Sequence, residues 1–322
     1  MPSRLPDLKF FSGRSNPNLA NAIVQQNGIR LSPLEIIDFA NKEIKIKIQE
    51  SIRGEDVFLL QTCGPPDPNR WLMELLIMIH TAKRASARRI TAIIPYLYGS
   101  RQDRKSEPRT PITIQLVANL LEAAGLKRII TVTLHNHASI AAFNNINVDN
   151  LSSGYVFMPV LKKLFKKEPF VVFSPDAGGV ERAKYYSDKL GTKLGFAYKI
   201  RPKDNEAEIF SFVGDVEGQN VLIIDDMIDT AGTLCKMVAQ AKKNGAKKVF
   251  VCATHALFSR DAIERINASH IDALYITDSI HHENLPLGTE VVSLGELLYK
   301  AMINVNEDKS LGKLFDEEQE NP

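Results

Sequence analysis

The residues whose types and spacing best suit chemistry lie between positions 221 and 234. Four apolar residues, 221–224, predict a buried parallel strand, and the adjacent acids Asp225 and Asp226 come at its end. Gly232 and its threonine neighbours precede a periodic apolar segment, a pattern typical of a phosphate loop at a helix N-terminus. Carboxylates beside such a loop suit vicinal sugar hydroxyls or a hydrated Mg²⁺. A solvated strand end with an N-cap threonine is the simpler alternative, but the coincidence of acids, glycine and threonines favours binding.

A second strand–loop–helix pattern occurs earlier, where Asp176 follows the apolar run 170–173 and Gly178 with Gly179 precedes a helical pattern. Paired glycines let the backbone approach a diphosphate closely. Asp176 is a candidate oxygen ligand for Mg²⁺. The glycine pair by itself predicts an ordinary turn equally well.

Lys199 and Arg201 alternate on an otherwise apolar strand that stops at Pro202. Two cations on one face of a strand end can span adjacent phosphates. If charge accumulates on a transferring group, such cations stabilise the transition state more than the ground state. The alternative is a solvated edge strand whose cations prevent aggregation.

Residues 96–111 lack apolar periodicity and follow a strand pattern that ends at Pro95. Their cations are Arg101, Arg104, Lys105 and Arg109. Ligands of open α/β sheets bind at the carboxyl ends of strands, so this basic loop, expected to be mobile, is predicted to bind polyphosphate. A solvated surface loop is the alternative.

His135 and His137 lie on one face if the strand predicted for 128–134 continues. No third ligand stands at the spacing of a closed zinc site, so a single histidine near a nucleotide-bound Mg²⁺ or a phosphate is the better functional hypothesis. Phe39 precedes the alternating run 44–48, an amphipathic hairpin strand, and its ring could stack on a base or belong to the core.

The composition of the 322-residue chain is that of a globular protein, and its charge balance does not indicate a particular class of partner. With 44% hydrophobic residues the chain is long enough for two domains. The net charge of +2 is nearly balanced, so it gives no reason to expect nucleic acid or a membrane as the partner. Three distant cysteines favour a reducing compartment, and without a signal-peptide or membrane-span pattern we expect a cytoplasmic protein.

Strand-like runs alternate with helical periodicity along the whole chain, which predicts an α/β fold with two mainly parallel sheets flanked by helices. The predicted strands are 57–60, 89–95, 128–134, 170–173, 221–224, 248–253 and 271–276. The predicted helices are 71–87, 113–124, 180–190, 233–244 and 294–303. We expect a first domain over 1–152, a second over 153–300, and a C-terminal segment 301–322 that packs back on the first.

Taken together, residues from about 18 to 303 resemble the ribose-phosphate diphosphokinases, also called phosphoribosyl-diphosphate synthetases. The matching motifs are Pro95 and Tyr96, Arg101 to Lys105, Pro111 to Thr113, Leu134 and His135, Ser174 to Asp176, Lys199, Arg201, and Asp225 to Thr233. Ordinary phosphoribosyltransferases share only the last motif, so the combination favours the diphosphokinases.

The resemblance implies two phosphoribosyltransferase-like domains and transfer of a diphosphoryl group from ATP to ribose 5-phosphate, with Mg²⁺. It implies the catalytic cations Lys199 and Arg201, and metal contacts by His135 and Asp176. For ATP it implies Phe39, Asn41, Glu43, Arg101, Gln102, Arg104 and His135. For ribose 5-phosphate it implies Arg201, Asp225, Asp226, Asp229, Thr230, Ala231, Gly232 and Thr233. The hairpin residues would reach a neighbouring subunit, so a homo-oligomer is implied, at least a dimer and by family resemblance a hexamer. A catalytically silent regulatory paralogue that binds nucleotide and partner subunits is the alternative.

Two departures from the family pattern replace a glycine. The adenosine motif, usually Phe-x-Asp-Gly-Glu, has Asn41 and Lys42 at its third and fourth positions. Ala231 stands where the sugar-phosphate loop usually has a glycine. Alanine requires a permissive backbone conformation there. A third departure is Thr133, at the position of the usual acid before the metal-contacting histidine.

Overall fold

The computed structural model describes residues 8–26, 28–105, 107–200 and 209–315, without the side chains of 199, 200, 209 and 210. The strands are β1 (Leu8–Ser12), β2 (Leu34–Asp38), β3 (Ile44–Ile48), β4 (Asp56–Leu60), β5 (Arg89–Ile93), β6 (Arg128–Val132), β7 (Asn147–Leu151), β8 (Phe170–Ser174), β9 (Leu194–Ile200), β10 (Ile209–Val213), β11 (Asn220–Ile228), β12 (Lys248–Ala256), β13 (Ala273–Thr277) and β14 (Thr289–Val292). The α-helices are α1 (Pro17–Val24), α2 (Pro68–Arg84), α3 (Thr113–Ala124), α4 (Gly154–Lys167), α5 (Val180–Leu190), α6 (Gly232–Lys243), α7 (Ala262–Asn267), α8 (Gly295–Asn306) and α9 (Gly312–Phe315), and a 3₁₀ turn spans His137–Ala142.

These elements form two compact units. The first contains the described residues up to 155 together with 278–281 and 293–315, and the second contains 156–277 and 282–292. The sequence analysis divided the domains between 152 and 153 and packed the C-terminal segment 301–322 back on the first domain. In the structure all of α8 belongs to the first unit.

The first unit is built on a parallel sheet with the strand order β1-β4-β5-β6-β7. Val57 and Leu59 of β4 alternate with residues of the opposite face and pack with Met78 of α2 and Val117 of α3. The strands β2 and β3 form a separate antiparallel hairpin. The carboxyl ends of the parallel strands therefore share one edge of a sheet whose position is set by an apolar core.

The second unit has the strand order β10-β9-β8-β11-β12-β13-β14, in which only β10 runs antiparallel to its neighbour. Helices cover both faces. On β11, Val221 and Ile223 belong to the same core as α6 and α7, whereas Leu222 and Ile224 pack with α4 and α5. This alternation explains why the strand is apolar at every position from 221 to 224.

The predicted α/β architecture with two mainly parallel sheets is confirmed, and so are the helices α3 and α5 with the predicted bounds. The helix expected over 71–87 begins earlier, at Pro68, because the Asp67 side chain accepts a hydrogen bond from the backbone N–H of Arg70 and caps it. The strands β5 and β6 end two residues before their predicted ends.

The helix α4 was not predicted, although Phe157, Met158 and Leu161 are buried against the second sheet. Pro159 lies inside this helix, and proline is read from sequence as a helix breaker. Within the described ranges no helix is both long and apolar enough to cross a membrane. The cytoplasmic location stays a prediction.

Gly295 allows α8 to approach α1 closely, since a Cβ atom there would lie 2.9 Å from the backbone carbon and oxygen of Ala22. We expect Gly295→Ala to lower the free energy of unfolding by about 1–3 kcal/mol, because backbone atoms have to move. Urea unfolding monitored by circular dichroism measures this change. Gly312→Ala is the control, since its Cβ would meet only the rotatable Ser310 hydroxyl, at 3.2 Å. Equal unfolding midpoints for the two variants would contradict the prediction.

Candidate functional site

Asp225 and Asp226 lie inside β11 and not at its end, because the strand continues to Ile228. On one side β11 pairs with β12 through Ile228, but on the other side its pairing with β8 stops at Ile223. The sequence-based expectation that the acids follow the end of the strand is therefore wrong. They do lie beyond the last β8 pair, where the sheet opens toward the loop that follows β8.

The two carboxylates are held by each other and by a cation of α5. The backbone N–H of Asp226 donates to Asp225 Oδ1 at 2.8 Å. Arg182 Nη1 lies 3.2 Å from Asp226 Oδ1 and 3.6 Å from Asp225 Oδ1. Burial and then the adjacent Asp226 charge raise the pKa of Asp225 well above its ordinary value. A cation or hydrogen-bond donor placed beside the pair would favour the ionised form of both carboxylates.

The loop after β11 has the geometry expected of a phosphate cradle. Asp229 and Thr230 form a bend, Ala231 adopts φ 58° and ψ −1°, and α6 begins at Gly232. Among the described residues no side chain caps this helix start. Because the first backbone N–H groups of a helix have no acceptor within the helix, they point toward any anion placed there.

A neighbouring segment braces this cradle from outside. The backbone N–H groups of Leu257 and Phe258 donate to Ile228 O, and that of Ser259 donates to Asp229 O at 3.0 Å. Arg265 Nη1 of α7 donates to Thr230 O at 3.4 Å. The loop conformation is thus set by tertiary hydrogen bonds from the end of β12 and from α7.

The loop after β8 is also a tight cradle. Asp176 Oδ1 accepts from the N–H of Gly179 at 2.8 Å, and Ser174 Oγ donates to Asp176 O at 2.6 Å. A Cβ at Gly179 would lie 2.8 Å from Ser174 Oγ, so only glycine fits this position without a shift. Asp176 is exposed, and its role as a metal ligand stays a prediction.

Of the two predicted catalytic cations, Lys199 is described only by its backbone, which pairs with Phe210 of β10. Arg201 lies outside the described residues. Their roles stay predictions.

In the first unit the basic loop follows β5 and leads into α3. Gly99 turns the chain with φ 77°, and Gln102 O accepts from Ile114 N while Gln102 Oε1 accepts from Thr113 Oγ1. The side chains of the loop cations are exposed; they are Arg101, Arg104, Lys105 and Arg109. A positively charged surface therefore borders the carboxyl end of β5.

His135 follows β6, but the strand ends at Val132 and Thr133 turns the backbone with φ 46°. The condition for His135 and His137 to share a strand face is therefore not met, because His137 begins a 3₁₀ turn; its Nδ1 lies 3.3 Å from Asn150 Nδ2. His135 is exposed. Its neighbour Asn136 donates to Asp103 Oδ2 at 2.6 Å, which ties the histidine segment to the basic loop.

The loop between β2 and β3 carries the predicted adenosine residues. Asn41 Oδ1 accepts from the N–H of Glu43 at 3.1 Å, and Lys42 adopts φ 72°. The Phe39 ring is 47% exposed and not part of the core. It borders a groove of about 690 Å³ lined by Phe39, Lys42, Glu43, Ile44, Asp67, Arg70, Met73 and Ile77.

An ionic clamp, formed by Arg14, Asp38, Arg70 and Glu74, anchors the loop end of this hairpin, since Asp38 is the last residue of β2. Arg14 donates to both Asp38 oxygens at 3.0 Å and through Nε to the fully buried Glu74 at 2.9 Å. Arg70 also forms an ion pair with Asp38. The Arg14 hydrogen bonds, followed by that of Arg70, lower the pKa of Asp38 to about 2.

Sequence reasoning missed Arg182, Arg265 and the clamp. An arginine in a helical pattern does not by itself indicate a site, since solvated arginines are common. The feature that could have identified Arg182 is its position in the first helical turn after the glycine pair.

Comparisons with known proteins agree with this geometry. The model of the N-terminal domain of ribose phosphate pyrophosphokinase matches residues 8–125. The model of the phosphoribosyl synthetase-associated domain matches residues 196–316.

Relatives of known name match over nearly the whole chain. The ribose-phosphate pyrophosphokinase of Thermosipho africanus is 46% identical over 96% of this chain and 98% of its own length, and that of Thermotoga maritima is 45% identical over the same shares. The crystal structure of phosphoribosylpyrophosphate synthetase from Mycobacterium smegmatis is 37% identical with a TM-score of 0.88, over 94% of this chain and 99% of that one. Nothing in these similarities favours the catalytically silent alternative.

Ala231 adopts a left-handed backbone conformation, which costs an L-residue roughly 1–2 kcal/mol. We expect Ala231→Gly to raise the free energy of unfolding by about 0.5–1 kcal/mol, since glycine relieves the strain but loses more chain entropy. Ala231→Val should lower it by at least about 1 kcal/mol, because a β-branched residue tolerates this conformation poorly. Urea titrations of the three proteins test the order, and a valine variant as stable as the native chain would contradict it.

Because the pKa of Asp38 lies below its ordinary value of 3.8, the ionised carboxylate stabilises the fold above pH 3.8. This contribution is lost as the pH falls through about 2. We therefore expect Asp38→Asn to be less stable than the native chain at pH 7, with a difference that shrinks between pH 4 and pH 2. Urea unfolding at several pH values measures it. Asp188→Asn, at an exposed ion pair with Lys184, is the control, and a pH-independent difference for Asp38→Asn would refute the prediction.

Proposed function

The chain belongs to the ribose-phosphate pyrophosphokinase family, and from that premise we propose how it transfers the β,γ-diphosphoryl group of ATP to the anomeric hydroxyl of ribose 5-phosphate. The hydroxyl oxygen bonds to the β-phosphorus as the bond from that phosphorus to the α,β-bridging oxygen breaks. The hydroxyl proton is released to water, the bridging oxygen leaves on AMP, and the other product is phosphoribosyl diphosphate. The observation that carries the proposal is the acid pair inside β11, followed within the same strand–loop–helix segment by the uncapped start of α6.

Ribose 5-phosphate binds at that edge of the second unit. The backbone N–H groups at the start of α6, with Asp229, Thr230 and Thr233, hold the 5-phosphate. Ala231 and Gly232 bring the backbone close to it. Asp225 and Asp226 accept hydrogen bonds from the ribose hydroxyls, which suits carboxylates that are already desolvated.

ATP binds through the first unit. Arg101 and Arg104 contact its phosphates, Gln102 contacts the adenine, and His135 completes the site beside the basic loop. Phe39, Asn41 and Glu43 contact the adenosine from a neighbouring copy of the chain. Their support is the exposed Phe39 ring and the adjoining groove, which leave room for a planar base.

Lys199 and Arg201 stabilise the charge of the diphosphoryl group as it transfers. Phosphoryl transfer needs little covalent help from a protein, so positioned cations carry most of the catalysis. Arg201 also contacts ribose 5-phosphate.

Mg²⁺ is the cofactor, with His135 and Asp176 as its protein contacts. Within the described part of the chain no three His, Cys, Asp or Glu side chains come together as a metal cage. Mg²⁺ usually takes one or two carboxylates and fills its other positions with water and substrate phosphates, so an exposed Asp176 beside a diphosphate cradle fits it. When bound, the ion neutralises charge on the diphosphoryl oxygens.

The active form is a homo-oligomer, at least a dimer, since the adenosine hairpin serves another copy. The family resemblance extends this to a hexamer.

We expect AMP release from ATP and Mg²⁺ to require ribose 5-phosphate, and Lys199→Ala to reduce kcat at least 100-fold, the effect of removing one preorganised charge partner from a transition state. Chromatography of AMP with and without the sugar measures both. Lys193→Ala, an exposed lysine just before β9, is the matched control. No AMP from the folded native protein would refute the proposed function, and full activity of Lys199→Ala would refute the role of that lysine.

A further inference from the structure

Arg182 occupies the space between the two cradles of the second unit. It lies in the first turn of α5, directly after the glycine pair, and its side chain is 20% exposed. Its Nη1 atom contacts the Oδ1 atoms of Asp225 and Asp226. The same atom would lie 3.5 Å from a Cβ at Gly179. One guanidinium therefore touches the acid pair and borders the loop of Asp176.

The acid pair needs such a partner. Asp226 is 3% exposed and adjacent in sequence to Asp225, and two carboxylates this close repel when both are ionised. A nearby cation favours their charged forms. Arginine suits this position because its planar group presents several donors in a fixed geometry and stays charged.

The contacts also restrict rotation of both carboxylates. Asp225 Oδ1 is engaged by the N–H of Asp226 and by Arg182, and Asp226 Oδ1 is engaged by Arg182. Arg182, on α5, contacts the Oδ1 atom of each acid. Because a carboxylate is planar, this contact also sets the direction of the Oδ2 atom. A hydroxyl donor then meets acceptors that are already oriented.

We infer that Arg182 is a positioning residue for ribose recognition: it holds Asp225 and Asp226 oriented to accept from the ribose hydroxyls, and it acts through those acids. The inference rests on the proposed function and adds to it a residue that sets sugar specificity. On this inference, the preference for ribose 5-phosphate over 2-deoxyribose 5-phosphate depends on Arg182, which lies outside the loops that follow β8 and β11.

A substrate lacking one hydroxyl tests this role, because a site built to hydrogen-bond a hydroxyl rejects the analogue without it. We expect native protein to prefer ribose 5-phosphate, as a ratio of kcat/KM values from AMP release. In Arg182→Gln that ratio should fall about tenfold or more, since the acids lose orientation and charge. Arg182→Lys should restore part of the ratio, and the KM for ATP should change little.

The control is Lys184→Gln on the same helix, an exposed lysine paired with Asp188 at 3.2 Å, which should keep the native ratio. Urea midpoints establish that each variant is folded. An equal loss for both sugars in Arg182→Gln would overturn the inference, as a merely structural role predicts it. A raised KM for ATP with an unchanged sugar ratio would also overturn it, because Arg182 would then bind the diphosphate itself. Absence of AMP from the native protein would instead refute the proposed function.

Discussion

The second unit depends on an unequal pairing of one strand. β11 keeps its hydrogen bonds to β12 as far as Ile228 but pairs with β8 only as far as Ile223. The unpaired side of β11 creates an opening in an otherwise continuous sheet, and Asp225 and Asp226 lie beside it. The β12 side meanwhile supports the start of the loop after β11, through the N–H groups of Leu257 and Phe258. The backbone of β11 is therefore hydrogen-bonded on one side of the acids and open on the other.

Each unit has a cluster of charged side chains beside its apolar core, and the two clusters are stabilised by different partners. In the second unit Asp226 is buried, and Arg182 lies within ion-pair distance of both acids. In the first unit the clamp of Arg14, Asp38, Arg70 and Glu74 satisfies its charges internally. The clamp holds Asp38 at the start of the loop between β2 and β3, beside the exposed Phe39 ring.

Two residues with positive φ show that the hydrogen bonds of a loop can impose a backbone conformation that L-residues disfavour. Lys42 and Ala231 adopt left-handed conformations at the two positions where the family pattern usually has glycine. The N–H of Phe39 donates to Glu43 O across the loop that contains Lys42, and the N–H groups of residues 257–259 donate to Ile228 and Asp229 just before Ala231. The surrounding structure therefore imposes these conformations despite the Cβ atoms.

Local periodicity and composition were sufficient to determine the α/β class, most strands, the helices α3 and α5, and the two loops that follow β8 and β11. These are properties of short segments, because burial on both faces makes a strand apolar throughout and a loop at a helix start selects glycine and threonine. Helix α4 was not predicted because Pro159, a residue that disfavours helix interiors, lies within its apolar pattern. Packing against the sheet outweighs the helix-breaking effect of the proline. Only the tertiary structure decided that β11 continues past its acids, and that Arg182 and the clamp arginines meet particular carboxylates. Those outcomes depend on which strand ends first and on contacts between distant segments, and a single sequence carries no local signal for either.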